Sequence, residues 1–201
     1  MTGLLHLYVS IGPDLGLERE YIGQAVARLP GSLAWQITYT PAPGEARPPD
    51  PKPLQEAHFY LIFLGQDISA PMGWELWSAR RAGIQPLAYA RDVTRTLAAM
   101  DFAARSELSW ISYKEAAELL SMVQEALARA LVADPARYGL GVPEWQVLSQ
   151  HLEDLKTAQD EGLAEDRPGS AGKGAVILSP EQAAASGGVL LGKGSAPRKG
   201  D

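Results

Sequence analysis

Phe59-Tyr-Leu-Ile-Phe-Leu64 places six large apolar side chains in a row, and Gly65-Gln-Asp67 follows at once. Strict alternation would mark a strand with one wet face. Unbroken apolarity marks a strand covered on both faces, the situation of an inner strand in a parallel sheet. The segment therefore predicts the centre of the fold.

Leu4 to Val9 (LLHLYV) is the second such run, ending at Ser10-Ile-Gly-Pro-Asp14. From Leu17 to Leu29 the pairs Tyr21/Ile22 and Ala25/Val26 recur at helical spacing until Pro30-Gly31 stops them. Leu33 to Thr40 reads as another strand. On the far side of residues 59–64, a helix is expected from Gly73 to Ala82, then a strand from Gln85 to Tyr89 with Pro86 at its start. A short helix over Thr94 to Met100 and a last strand over Leu108 to Ile111 complete the pattern. Ser112-Tyr-Lys-Glu115 has the form of a capping box opening a long amphipathic helix on Ala116, Leu119, Leu120, Val123, Leu127 and Leu131. Strands alternating with helices predict a five-stranded parallel α/β sandwich of three layers, flavodoxin-like or Rossmann-like.

Beyond Asp134-Pro135, Pro143 is placed to open one more helix running to about Asp160. Its Trp145, Leu148, Leu152 and Leu155 are spaced 3, 4, 3, as in a helix seam. That stripe either packs on the parent domain or meets a protein partner or a second copy. The expected organisation is thus an α/β domain over 1–133, a helical appendage over 134–166 and a Gly/Pro-rich tail over 167–201. Of the 20 Gly and 15 Pro, 18 fall in residues 41–53 and 168–201. The first stretch reads as a surface loop and the second as a low-complexity tail with too few large apolar groups to offset its ordering entropy.

The 201 residues hold 18 Lys and Arg against 24 Asp and Glu, a net charge of −6, which argues against a nucleic-acid partner. With no Cys, disulfide scaffolds, thiolate metal sites and thiol catalysis are excluded, and a reducing cytoplasm suits the chain. The opening Met1-Thr-Gly-Leu-Leu-His lacks a basic signal-like region, and no apolar run approaches the roughly 18 residues of a membrane span. A soluble cytoplasmic protein is the expectation.

Ligands of open α/β sheets bind beyond the carboxyl ends of the strands, where the strand order reverses. The first strand delivers Ser10, Gly12 and Asp14 to that edge, and residues 59–64 deliver Gly65, Gln66 and Asp67, with Ser69 beyond. The helix expected from Gly73 would carry Trp74, Glu75 and Trp77 there. A first-turn Glu75 has an ordinary explanation, its attraction to the helix dipole, worth about 0.3–1 kcal/mol. The alternative is a carboxylate that traps or stabilises a sugar cation beside Trp74 or Trp77.

Leu7-Tyr-Val-Ser10, then Asp14-Leu15 and Glu18-Arg19-Glu20, resembles the opening signature of bacterial TIR-like domains related to nucleoside 2-deoxyribosyltransferases. Residues 59–65, Ser69, Gly73-Trp-Glu75-Leu76, Ala79 and Gly83-Ile-Gln-Pro86-Leu87 follow that family's order of strand, variable loop, Glu-bearing helix and strand. The resemblance spans roughly residues 4–131. It implies a five-stranded flavodoxin-like fold and makes Glu75 the counterpart of the acidic residue that attacks the sugar C1′ in catalytic members. Two positions depart from it: a doubled Ser is here Ser10-Ile11, and a Gly-Thr before the helix is here Met72-Gly73.

Other motifs carry less. Gly187 to Lys193 has the GxxxxGK spacing of a phosphate loop, but Gly194 replaces its Ser or Thr and too little chain follows to form a helix. Gly-Lys-Gly recurs at 172–174 and 192–194, each beside an aliphatic patch, as in a hairpin or docking peptide. His6, His58 and His151 lie far apart in sequence, so no metal site is expected. Ser10 lacks a hydrolase context. Arg80-Arg81 reads as a solvated helix face or as a grip on a substrate phosphate. Two functions follow as expectations: a TIR-like interaction or assembly module of a bacterial signalling or defence system, or an enzyme cleaving or exchanging an N-glycosidic bond. The enzyme would take NAD or a nucleoside as substrate, with no cofactor; Glu75 would act on the sugar, and Ser10, Gly12, Asp14, Gly65, Asp67, Ser69, Trp74 and Trp77 would line the substrate.

Overall fold

A computed structural model describes residues 3–42, 44–45 and 50–165, the last seven as backbone alone. Elements follow in the order β1 (Leu4–Ile11), α1 (Gly16–Ala27), β2 (Ala34–Tyr39), α2 (Lys52–Gln55), β3 (Phe59–Leu64) and α3 (Ala70–Arg81). They continue as β4 (Pro86–Arg91), α4 (Leu97–Arg105), β5 (Ile111–Tyr113), α5 (Glu118–Ala133) and α6 (Val142–Glu165). All five strands run parallel in the order β2-β1-β3-β4-β5, so the chain is a flavodoxin-like three-layer α/β fold.

All six side chains of β3 are buried, as its composition requires for the central position. β1 lies beside it in register Leu7↔Phe59 to Ile11↔Phe63. Strand pleating then sorts the side chains. Leu5, Leu7, Val9 and Ile11 share one core with Ile22 and Val26 of α1 and Leu119, Val123 and Leu127 of α5. Tyr8, Tyr60 and Ile62 enter a second core with Met72, Leu76 and Ala79 of α3. Each fully buried Leu or Ile contributes about 1.5–3 kcal/mol. The strand order reverses between β1 and β3, whose carboxyl ends lie at Ile11 and Leu64.

Several boundaries differ from the periodicity reading. α3 opens at Ala70 with Ser69 in extended N-cap conformation, three residues before Gly73, because Pro71 suits a helix start. β5 occupies Ile111–Tyr113, not 108–111; pairing Ala90↔Ser112 and Arg91↔Tyr113 claims two residues of the supposed capping box. α5 therefore begins at Glu118, whose side chain accepts the Lys114 and Glu115 N–H groups. The short helix of 94–100 is α4, starting later on a Thr96 cap that accepts the Ala99 N–H at 3.2 Å, and running on to Arg105. α2 lies at the end of the Pro-rich stretch expected to be loop.

The chain divides into one unit of residues 1–158 and another of 159–201. Within the first, Leu148 and Leu152 of α6 belong to the same core as α1 and α5, while Trp145 is 40% exposed with its indole N–H donated to Val132 O. Leu155 is half-buried. The seam thus faces its own unit. The tail expected over 167–201, with its phosphate-loop-like and Gly-Lys-Gly stretches, lies outside the described residues. No helix among the described residues is long and apolar enough to cross a membrane.

At the amino edge of the sheet, the pairing of β1 with β3 brings together two histidines 52 positions apart. The His6 N–H donates to His58 Nδ1 at 3.0 Å, and the His58 N–H donates to His6 O at 2.8 Å. The accepting Nδ1 requires a neutral ring. Burial lowers the His58 pKa below its usual 6.5, and the charges of His6 and Arg137 lower it further. Tyr138 covers the ring at 6.2 Å. The unfolded chain therefore binds the proton more readily, so this contribution to stability is complete above pH 6.5 and declines as pH falls through the interval below it. Melting curves across about pH 5 to 8 should show that decline in the native protein and a shallower one in His58→Asn, whose amide oxygen accepts the same bond without titrating. Equal slopes would assign the acid sensitivity elsewhere.

Candidate active site

Starting α3 at Ala70 moves Glu75 into the second turn, away from the N–H groups that a first-turn carboxylate would neutralise. The dipole explanation for this residue loses most of its force there. Glu75 is 1% exposed on the face of α3 turned toward the sheet. An isolated carboxylate at that depth would be strongly disfavoured. Three hydroxyls offset the cost: Tyr8 donates to Oε1 at 2.8 Å, Thr40 donates to Oε2 at 2.8 Å, and Ser10 also donates to Oε2. Behind Ser10, the Tyr60 hydroxyl donates to Ser10 Oγ at 2.8 Å. Burial drives the Tyr60 phenol far above its ordinary pKa, and the Glu75 charge adds to the shift, so Tyr60 remains a donor.

Pleating explains the convergence. Tyr8 and Ser10 are two residues apart on β1 and share a face, and Tyr60 is the register partner of Tyr8 on β3. Thr40 follows β2, where its N–H donates to Val9 O at 2.9 Å. Arg19 of α1 donates to Thr40 O and lies over the Tyr39 ring at 5.0 Å, and Tyr39 donates back to Arg19 O at 3.2 Å, so α1 fixes the end of β2. The network bolts α3 to three strands. It also holds a carboxylate with two donors on one oxygen and one on the other, next to the reversal point of the sheet.

Ile11 and Pro41, the chain neighbours of Ser10 and Thr40, belong to a cleft of two lobes that share Pro13, Pro41, Ala42 and Ser69; Ser10, Thr40 and Glu75 line neither lobe. One lobe, about 160 Å³, includes Ile11, Gly12 and Arg19; the other, about 350 Å³, includes Glu45, Ile68 and Pro71. The larger lobe falls within the range of small-molecule sites, roughly 300–1,000 Å³.

The remaining residues expected to line a substrate are placed differently. Asp14 accepts the Gln66 N–H at 2.8 Å and the Asp67 N–H at 3.4 Å, clamping the loop after β3. Asp67 accepts the Thr96 hydroxyl at 2.8 Å and the Ile68 N–H at 2.9 Å, bonds that lower its pKa, with Thr96 the larger cause. Both carboxylates are engaged by the protein itself. Gly12 lines the small lobe, and a Cβ there would come within 2.9 Å of Asp67 O. A Cβ on Gly65 would overlap the Asp14 carboxylate. Trp74 is half-buried and lines neither lobe. Trp77 is 56% exposed, lies under the Arg81 guanidinium at 5.3 Å and lines a separate groove between α3 and α4.

Gly65→Ala is expected to push Asp14 off both N–H groups and cost about 1–2 kcal/mol, the worth of two modest hydrogen bonds. Asp14→Ala should cost a similar amount, and the double variant little more than either alone, because both changes break the same contact. Urea titrations of the three variants measure this; additive losses would refute the shared mechanism.

Tyr8, Thr40 and Tyr60 escaped the sequence reading. The available signal was a pair of hydroxyl side chains at i and i+2, Tyr8 and Ser10, inside an otherwise apolar strand. Glu18 and Arg19 entered only as part of a signature. Glu18 is buried in an ion pair with Arg91 at 3.3 Å, and Arg19 lines the cleft. Among the described residues no group of three or more His, Asp or Glu is placed to hold a metal ion. No family profile matches the sequence, and no curated protein is significantly similar to it.

Proposed function

We propose that the protein acts on the N-glycosidic bond of a nucleoside or of NAD, with Glu75 as the carboxylate that meets the sugar. The observation that carries this reading is the buried Glu75, held by the hydroxyls of Tyr8, Ser10 and Thr40, the last two being chain neighbours of Ile11 and Pro41 in the cleft lining. The resemblance to TIR-like and deoxyribosyltransferase domains supports it through the position of that residue. In this scheme Oε1, which accepts one hydroxyl, forms a bond to C1′ as the C1′–N bond breaks. The base leaves with the bonding pair, nicotinamide departing neutral and a nucleoside's base taking up a proton, and water or a second base, giving up a proton, then displaces the glycosyl ester. Tyr60, through Ser10, keeps Oε2 in place. Since Glu75 is 1% exposed, entry of the sugar requires the cleft floor to part between Ile11 and Pro41.

The test is base release from NAD and from each common ribo- and deoxyribonucleoside, assayed with dilute and concentrated protein. No release from any of them would end this reading. A second reading, an assembly module of a signalling or defence system, is favoured by a different observation. Trp77, Leu97 and Met100 of α3 and α4 are 56%, 84% and 55% exposed.

A further inference from the structure

The groove between α3 and α4 has a volume of about 430 Å³. Its walls are apolar: Ile68, Leu76, Trp77 and Phe102. An indole left more than half exposed in a groove is unusual for a surface that meets only water, because tryptophan is among the side chains that gain most on burial. The charge around it is local and cationic. Arg80 at the end of α3 and Arg105 at the end of α4 line the groove, Arg81 stands outside the lining over the Trp77 ring, and Asp101 is the one acidic residue of the lining. Asp101 already accepts from Arg105 at 2.7 Å. The placement of the arginines suits the helix dipoles, but the dipoles do not account for an exposed tryptophan between them.

We propose that this groove docks an acidic peptide segment of a protein partner, with one aromatic or branched apolar side chain seated against Trp77 and carboxylates on Arg80 and Arg81. The inference deepens the assembly reading and does not depend on catalysis. Charge complementarity selects the occupant: Arg80, which also donates to Ser106 O, lines the groove, Arg81 lies over its Trp77, and the one lining carboxylate is already paired with Arg105, leaving a local positive excess on a chain whose net charge is −6. A nucleic-acid backbone would need cations continuing along a track, and this cluster is confined to the ends of two helices. Arginine beside tryptophan is the composition of interface hot spots. The groove also shares Ile68 with the larger lobe of the cleft, so an occupant would touch the same loop that walls the candidate active site.

Full-length protein panned against a display library of 12-residue peptides tests the assignment, with Kd then measured for the enriched peptide by fluorescence polarisation. Enriched sequences should pair Asp or Glu with Phe, Trp or Leu. Binding should weaken at least tenfold in Trp77→Ala and in Arg81→Glu, each retaining the native melting temperature, and should weaken with added salt. The proposal is overturned by the absence of enrichment, by enriched peptides without acidic residues, or by affinity indifferent to both substitutions. Trp77-dependent binding of vesicles of phosphatidylcholine and phosphatidylserine, with no peptide enriched, would assign the patch to a lipid surface and overturn it as well. Base release from NAD, present or absent, leaves this result unaffected, so the two readings fail separately.

Discussion

Glu75→Gln is expected to lower base release by about 10³-fold or more while the protein still folds, since loss of a reacting group removes transition-state stabilisation that no neighbour replaces. The substitution keeps the shape of the side chain and discards one acceptor. Tyr8, Ser10 and Thr40 all donate to the carboxylate, so a glutamine amide forces at least one hydroxyl to turn and accept. That rearrangement should cost about 1–3 kcal/mol, at or above the roughly 0.3–1 kcal/mol expected for a first-turn glutamate interacting only with a helix dipole. Tyr60→Phe separates the roles. It removes the donor behind Ser10 without touching Glu75. If the network is structural only, Tyr60→Phe and Glu75→Gln lower the melting temperature and leave turnover per folded molecule unchanged. If Glu75 reacts, turnover falls steeply in Glu75→Gln and modestly in Tyr60→Phe, measured on protein shown to be folded at the assay temperature.

Leu148→Asp should be the most destabilising single change among those considered, by about 3–5 kcal/mol or to outright unfolding. Leu148 is wholly buried in the core shared by α1 and α5. Truncating such a leucine to alanine already costs about 2–5 kcal/mol, and a carboxylate adds the penalty of an unpaired buried charge. Trp145→Asp, at a position 40% exposed, should cost far less. Circular dichroism melts compare the two. Were the α6 stripe an intermolecular seam, Leu148→Asp would spare the melting temperature and abolish assembly instead. The contrast arises because the 3, 4, 3 spacing specifies one apolar face and not what covers it. In the structure its own unit covers Leu148 and Leu152 and leaves Trp145 at the edge, 40% exposed.

The fold was largely legible because its signals are local. Six consecutive apolar residues at 59–64 and the run at 4–9 mark inner strands wherever the chain later places them, and parallel strands need helical crossovers, which the spacing of residues 17–29 and 116–131 supplies. The boundaries that moved did so for tertiary reasons. β5 shifted to 111–113 because a ladder with β4 outweighs a capping motif, and Gly73 was displaced as helix start by a Ser69-Ala-Pro71 entry set by the loop that Asp14 clamps.

By itself the sequence determined the α/β class, the parallel sheet and the inner strands, since periodicity is a property of contiguous residues. Only the tertiary structure decided that Glu75 is buried under three hydroxyls, that Trp77 belongs to another groove, that His6 bonds His58 and that Leu148 faces inward. Those facts depend on which strands become neighbours and in what register. Tyr8 and Glu75 are separated by 67 positions and His6 and His58 by 52, and residues so distant meet only after the strand order and the pleat have been chosen together.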